Sequence, residues 1–577
     1  MTGSRLRVAL AAVALTAAVA QIEATPAAAA GVTGTRHVIV RATDGNTAAV
    51  RSLVVRAGGH VDRTLGLIHA VAATVPAAAL PALRVQAEVT ADARVRLAVA
   101  KTAVAAGDSY TPSTDDDSMY RIENIIGART AWKAGYTGRG VDVALVDSGV
   151  AQVPGLLGSN IVQGPDLTEE SQDPTTAGVD TFGHGTHLAG IIAGHDANVN
   201  NVTGAWNDTT DFLGVAPDAR IVSVKVADSH GVSDVSQVIA GIDWVVQHAH
   251  DPGMNIRVLN LSFGTDSSQA YTVDPLAYAA EQAWAHGIVV VTSAGNDGTT
   301  DGRLSDPATD PFVIAVGADD PNGTTATSDD TVPSFSSVGD GTRDPDLVAP
   351  GVHVQSLRTP GSYIDQTFAG TGMINSRFFR GSGTSQAAAV VSGVAALILQ
   401  QQPNLTPDQV KYLLVSNAVS IPALGDATQG AGLVRVRTGY GTVPAATQTF
   451  AASTGTGKLE LSRGTDHIAI TDANGVTTDL TGEQDIFGHN VNTNALASAE
   501  ANATAWTGGT FNGNTWTGAG WTSSSWASSS WASSSWRSSS WASSSWASSS
   551  WKCDDWASST WKTSGWTSST WAASYWR

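Results

Sequence analysis

The sequence predicts an α/β domain built on a parallel sheet with helices on both faces, and three observations predict it. Between residues 118 and 441, short runs rich in Val, Ile and Ala alternate with stretches of helical pattern, as a sheet with crossover helices requires. Residues 141–147 and 288–293 hold four apolar residues in a row, at 143–146 and 288–291, rather than at alternate positions, the mark of strands buried on both faces. These runs end in polar residues beside a glycine, Asp147-Ser148-Gly149 and Ser293-Ala294-Gly295-Asn296. Reactive groups therefore gather at strand carboxyl ends, where open α/β sheets bind ligands.

With 577 residues the chain is too long for one ordinary domain. Residues 1–30 read as a secretory signal: Arg5 and Arg7 precede an apolar run over 8–20, and small residues gather at 27–30. That run is too short to span a bilayer, although an uncleaved anchor is the alternative. Export follows, and the sole cysteine, Cys553, has no partner for an internal disulfide. Residues 31–107 form a small α+β unit of βαββαβ order. His37-Val38-Ile39-Val40 is its first strand and 47–57 its first helix, broken by Gly58-Gly59. Strands over 61–65 and 70–75, a helix over 78–86 and a last strand near 94–99 complete it.

Within 118–441, residues 221–226 and 258–261 are further strands, and 235–249 and 275–286 are helices. Residues 406–416 form a closing helix with Pro407 in its first turn, and 430–436 a last strand region. Residues 442–505 are a linker or a small β-module; Leu459-Glu460-Leu461 and Ile468-Ala469-Ile470 alternate in strand fashion. The region 506–577 is a Trp/Ser-rich repeat tail, with a tryptophan at every fifth position from Trp516 to Trp576. Period five matches neither a strand face nor a helix stripe. A serine-rich chain lacks material for a compact core, yet so many indoles suggest a surface for association with the cell envelope or with itself.

Charge separates these regions. The chain carries −19 overall, while residues 1–110 hold eleven Lys/Arg against six Asp/Glu, a net of about +5. Residues 506–577 hold four basic and two acidic groups, which leaves the middle near −26. An acidic central domain argues against nucleic acid as a partner, and suits contact with cationic substrates or with the basic N-terminal unit.

The chemistry centres on Gly381-Ser382-Gly383-Thr384-Ser385-Gln386-Ala387-Ala388, a serine opening a small-residue helix that continues to about residue 402. A helix start favours developing negative charge, though a lone serine there is more often only a cap. A serine nucleophile needs an imidazole base, a carboxylate to orient the imidazole, and donors for the oxyanion. Candidates occur in the order Asp147, then His184 in Gly183-His184-Gly185-Thr186-His187, then Asn296, then Ser385.

The blocks VALVDSG, GHGTHLAG, LNLSFG, SAGND and GSGTSQAA resemble, in order, those of the subtilisin-like serine proteases, over roughly residues 120–440. The resemblance implies a secreted serine endopeptidase made as a zymogen, acting on polypeptides through an acyl-enzyme. In it Asp147 orients, His184 is base and acid, Ser385 attacks, and the Asn296 amide with the Ser385 N–H forms the oxyanion hole. Ser262, Phe263 and Gly264 would line the main specificity pocket and pair with extended substrate, although Phe263 also reads as plain core. Residues 31–107 are then similar to an inhibitory propeptide, a partner for its own protease. One departure follows the nucleophile: Gln386 and Ala389 stand where the family pattern has methionine and proline, which bears on pocket shape more than on activity.

No cofactor is implied for catalysis, and no metal ligand is assigned. His187 lacks an HExxH arrangement and reads as structural. Asp115-Asp116-Asp117 and Asp319-Asp320 are oxygen-rich loops of a kind that suits structural calcium, but solvated loop acids are the simpler account. A catalytically inactive version of the same fold used for adhesion, and a processing peptidase with a single substrate, are the rival readings.

Overall fold

The computed structural model describes residues 35–41, 46–65, 70–91, 111–156, 158–199, 201–299, 302–422, 424–445, 448–471, 477–517 and 561–563. The expected signal, the strand near 94–99, Cys553 and most of the tryptophan repeat lie outside these residues. The chain divides into two compact units, residues 1–101 and 102–577.

The first unit runs β1 (Thr35–Arg41), α1 (Thr47–Arg56), β2 (His60–Leu65), β3 (Ala70–Pro76), α2 (Leu80–Gln86) and β4 (Glu88–Ala91). Its strands form one antiparallel sheet in the order β2-β3-β1-β4. Asn46 caps α1 by accepting from the Ala49 N–H, and Gly58 just beyond the helix takes a φ of 73°, which glycine adopts without strain. Val38, Val40, Val50, Val54, Val71, Val75 and Leu83 make a core of their own. The expected βαββαβ order is present. Directly after α2 the chain pairs with β1 as β4; the strand expected near 94–99 lies outside the described residues.

The second unit begins with α3 (Met119–Ile126), α4 (Ala128–Lys133), β5 (Asp142–Asp147), β6 (Ile161–Asp166), α5 (His184–Ala193), β7 (Arg220–Lys225) and α6 (Val235–His248). It continues through β8 (Ile256–Leu261), α7 (Pro275–Ala285), β9 (Val289–Ser293), β10 (Ile314–Asp319), β11 (Leu347–Pro350), β12 (Val354–Leu357), α8 (Tyr363–Gly372) and β13 (Phe378–Gly381). Next come α9 (Thr384–Gln401), α10 (Pro407–Asn417) and α11 (Asp426–Gln429), and then α12 (Leu459–Ser462), β14 (Ile468–Thr471), β15 (Thr477–Asp479), α13 (Thr493–Ala501), β16 (Trp506–Thr507) and β17 (Thr510–Phe511).

Seven strands form a parallel sheet in the order β11-β10-β9-β8-β5-β7-β6. Every residue of β5, β9 and β10 is buried. Successive side chains point to opposite faces, so both faces are covered. Helices α5 and α9 pack together, as do α6 and α7. From β5 the chain goes to the sheet edge as β6, comes back between β6 and β5 as β7, and then crosses to β8 on the other side of β5. That reversal puts a crevice at the carboxyl ends of β5 and β8. Helix α9 is buried from Thr384 to Leu399, which explains why its sequence is apolar or small all round. The 430–436 region forms no named strand; Leu433 makes only single bridges to Val348 and Val419.

The described residues between 448 and 517 are part of this unit. Residues 459–462 are helix rather than the strand their alternation suggested, because Leu459 and Ser462 both turn inward, three apart. Arg463 is completely buried. Trp506 sends its indole N–H to the Ala240 carbonyl of α6 at 2.8 Å. Trp516 is buried edge-on to Phe487, with ring centres 4.8 Å apart. Residues 506–517 thus belong with the folded unit and not with the repeat tail, a correction to the boundary expected from the tryptophan spacing.

Candidate active site

Asp147 ends β5 beside Lys225 of β7, and its side chain is wholly buried. Its carboxylate meets Nδ1 of His184 at 2.9 and 3.0 Å through its two oxygens, and accepts from the Ser148 N–H at 2.7 Å. Burial pushes the Asp147 carboxyl up, while His184 and the Ser148 N–H pull against that rise. An imidazole held this way by Nδ1 has its orientation fixed, with Nε2 on the opposite side of the ring.

His184 is the first residue of α5, and Asp180 sets the start of that helix. Asp180 accepts from the Gly183 N–H at 2.6 Å and the Thr186 N–H at 2.7 Å, two of the donors a helix start leaves unpaired. It also accepts from the Ser148 hydroxyl at 2.8 Å, and Ser148 accepts from the Gly185 N–H at 3.0 Å. One buried carboxylate thereby ties the strand end carrying Asp147 to the helix carrying His184. Gly183 makes the turn with φ 106°, and a Cβ there would meet the Ser362 Oγ at 2.5 Å.

Beneath this lies Lys225, fully buried, donating to the Ser148 and Ala227 carbonyls at 2.7 and 2.9 Å and pairing with Glu170 at 3.0 Å. Burial works against its charge, yet Glu170, Asp166 and Asp180 hold its pKa above that of an ordinary lysine. Burial in turn lifts Asp166 to about 6 despite Lys225. His187, one turn after His184, is buried and lies 3.2 Å by Nε2 from the Phe379 carbonyl oxygen. Burial and the neighbouring His184 push its pKa down to about 3, so it is a neutral structural ring.

Ser385 sits in the first turn of α9. Asn296 follows β9, and its side-chain oxygen accepts from the Thr384 N–H at 2.9 Å and the Thr384 hydroxyl at 3.0 Å. With the oxygen so engaged, the Asn296 amino group is left as the outward donor. Ser385 and Asn296 line one narrow cleft with Ser262, Gly264, Ser293, Gly295 and Ser305. The Ser262 hydroxyl, directly after β8, reaches the Ser385 carbonyl at 3.3 Å. Gly264 is needed for close approach, since a Cβ there would lie 2.8 Å from the Ser305 Cβ and 3.1 Å from the Asp306 carbonyl oxygen.

Phe263, in contrast, is buried in the main core and does not line the cleft. The core alternative for its side chain is therefore the one the packing supports. Sequence reading missed Asp180, Ser148, Thr384, Lys225 and Ser305. Asp180 had a signal, standing four residues before His184, but carboxylates in loops are too common to single out. Gln386 is buried. Among the described residues, no group of three or more His, Cys, Asp or Glu side chains is arranged to hold a metal ion. Asp115 is engaged by Arg380 at 3.3 Å, and Asp117 lies 3.8 Å from His353. Among the described residues, no helix is long and apolar enough to cross a membrane.

A profile described as the Subtilase family matches residues 138–448, more than half of the chain. The chain belongs to the subtilase family. It is a subtilisin-like serine protease, and the matched region contains Asp147, His184, Asn296 and Ser385. It is 40% identical to Serine protease AprX of Bacillus subtilis (strain 168), over 48% of this chain and 61% of that protein. It is 34% identical to Subtilisin DY of Bacillus licheniformis, over 54% of this chain and 95% of that protein. A solved structure, that of a cold adapted subtilisin-like serine proteinase, aligns over 53% of this chain and 91% of its own at 30% identity, with a TM-score of 0.39. The matched region stops where residues 448–517 begin to fold back on the subtilase core.

Proposed function

We propose that this subtilase is a secreted endopeptidase in which Asp147, His184 and Ser385 act as the catalytic triad. Two observations support the reading: a buried Asp147–His184 pair at the carboxyl end of β5, and a Ser385–Asn296 cleft lined by Ser262 just beyond the neighbouring strand β8. The Ser385 hydroxyl attacks the peptide carbonyl while His184 takes its proton, and Asp147 stabilises the imidazolium that forms. The Asn296 amino group and the Ser385 N–H receive the oxyanion. Collapse of the tetrahedral intermediate returns the proton to the leaving amine, and water repeats the sequence on the acyl-enzyme.

The substrate is an extended polypeptide, read mostly through its backbone along Ser262–Gly264. A small cleft walled by serines and glycines suits a small or polar side chain next to the cut bond. The basic 31–107 unit serves as an inhibitory propeptide, complementary in charge to the acidic protease, and is removed by the enzyme itself. The tryptophan repeat beyond residue 517 holds the enzyme to envelope material or to other copies through many weak contacts.

Labelling with a fluorophosphonate probe tests this. The processed protein takes up label, while Ser385→Ala takes none and keeps residues 31–107 attached. Label that persists in Ser385→Ala, or no label on the processed wild type, removes the proposed triad and favours an adhesive role. Cleavage of a mixed peptide library at one sequence only would instead mark a dedicated processing peptidase.

A further inference from the structure

Residues 459–465 lie beyond the matched family region, yet they grip the loop that comes after the cleft residues Ser262 and Gly264. That loop, residues 265–269, follows Ser262-Phe263-Gly264 directly. The Thr265 hydroxyl donates to the Ser462 carbonyl at 2.7 Å. Thr465 donates to Asp266 twice, from its N–H at 2.6 Å and its hydroxyl at 2.5 Å. Gly464, with φ 62°, approaches so closely that a Cβ there would lie 2.8 Å from the Asp266 carbonyl carbon and the Ser267 nitrogen. From the other side, the Arg303 guanidinium donates to the Asp266 and Ser267 carbonyls.

The grip passes on to the cleft. Thr265 exchanges both backbone hydrogen bonds with Asp306, each at 2.9 Å. Ser305, the residue before Asp306, lines the cleft together with Ser385 and Asn296. The segment that holds the loop is itself held firmly. Arg463 donates to Asp234 at 2.7 Å, to the Gly482 carbonyl at 2.7 Å and to the Gln484 carbonyl at 2.5 Å. Asp234 also caps α6 by accepting from the Ser236 N–H at 2.9 Å. A guanidinium taken wholly out of water must be matched in this way, so residues 459–465 are a fixed part rather than a loose extension. The Ser462 hydroxyl adds a bond to Asp274, the cap of α7, at 2.7 Å.

We propose that residues 459–465 are a positioning brace for substrate binding, fixing Ser262–Gly264 and Ser305 at the spacing the substrate requires by holding Thr265 and Asp266. This rests on the assignment of the cleft to the substrate made above. The brace touches neither Ser385 nor His184, so it governs ground-state and transition-state binding alike. Its loss raises KM and spares kcat.

The test compares Asp266→Ala, which removes both bonds to Thr465, with Asp266→Asn, which keeps an acceptor. Thr465→Val, approached from the brace, loses the hydroxyl bond alone. KM and kcat on an extended peptide are measured beside the rate of fluorophosphonate labelling and the melting temperature. Losing one or two such bonds should raise KM about three- to tenfold in Asp266→Ala and less in Thr465→Val. Turnover and labelling stay within about twofold, and Asp266→Asn sits near wild type. If Asp266→Ala fails to fold, Thr465→Val decides alone. A KM that does not move overturns the brace, as does a fall of kcat and labelling in step with stability. An unmodified enzyme that takes no label overturns the function and the brace together; a labelled enzyme with unmoved KM overturns only the brace.

Discussion

Replacing His187 with glutamine should change how the protease tolerates acid. The ring is 1% exposed, and its pKa lies near 3 against an ordinary 6.5. The folded state therefore keeps it neutral where the unfolded chain takes up a proton. The contribution is intact above about pH 6.5 and is lost as the pH falls from there toward about 3. Each pH unit inside that window is worth about 1.4 kcal/mol, so moving from neutral pH to about 4.5 costs roughly 2–3 kcal/mol. Other buried groups act in the opposite direction. Burial lifts Glu123 to about 8 and Asp310 to about 7; these raised carboxyls add stability as pH falls through those values. The wild-type curve alone is thus a sum of opposed terms, and the difference between wild type and His187→Gln isolates the ring. Glutamine retains an N–H for the Phe379 carbonyl but does not titrate. Urea unfolding of both proteins in a Ser385→Ala background, to prevent self-digestion, should show wild type losing roughly 2–3 kcal/mol relative to the variant between neutral pH and about 4.5. Parallel curves would refute the reasoning.

Asn296→Ala should lower kcat about 10²–10³-fold with little change in KM, because its amino group meets charge that develops only in the transition state; steady-state kinetics on a short peptide checks it. Asp180→Ala should lower kcat and leave KM nearly unchanged, since the carboxylate fixes the helix start at His184 without lining the cleft; the same assay reads the split. A chain ending at residue 505 should melt roughly 10 °C or more below one ending at 517. The shorter chain loses buried Trp506, Phe511 and Trp516, and each large core aromatic is worth about 3–5 kcal/mol.

The parts of the fold legible in the sequence were those whose pattern reflects burial on both sides. The runs at β5 and β9 hold consecutive apolar residues, Val143 to Val146 and Val289 to Val291, as strands covered on both faces do. The α10 start was legible because Pro407 stands in the first turn, and the structure adds a capping box from Thr406 and Gln409 around it. Leu459-Glu460-Leu461 misled because three residues of alternation fit a strand or a helix turn equally, and the inward pair is Leu459 with Ser462, three apart. The tail boundary misled for a related reason. Trp506 and Trp516 resemble the repeat that follows, and only α6 and Phe487 distinguish them. At the site, the residues proposed to do the chemistry stand in recognisable blocks. Those that hold them, Asp180, Thr384 and Lys225, are ordinary residues whose partners are remote in sequence or buried out of view.

Whether Asp147, His184 and Ser385 work as one unit is tested most directly by the kinetics of Ser385→Ala, His184→Ala and the double variant on one peptide substrate. A triad predicts that each single change removes nearly all the activity and that the double variant is no worse than either, leaving the residual rate supplied by the oxyanion hole and binding. Losses that multiply in the double variant would mean that the two residues act independently, and would contradict the account.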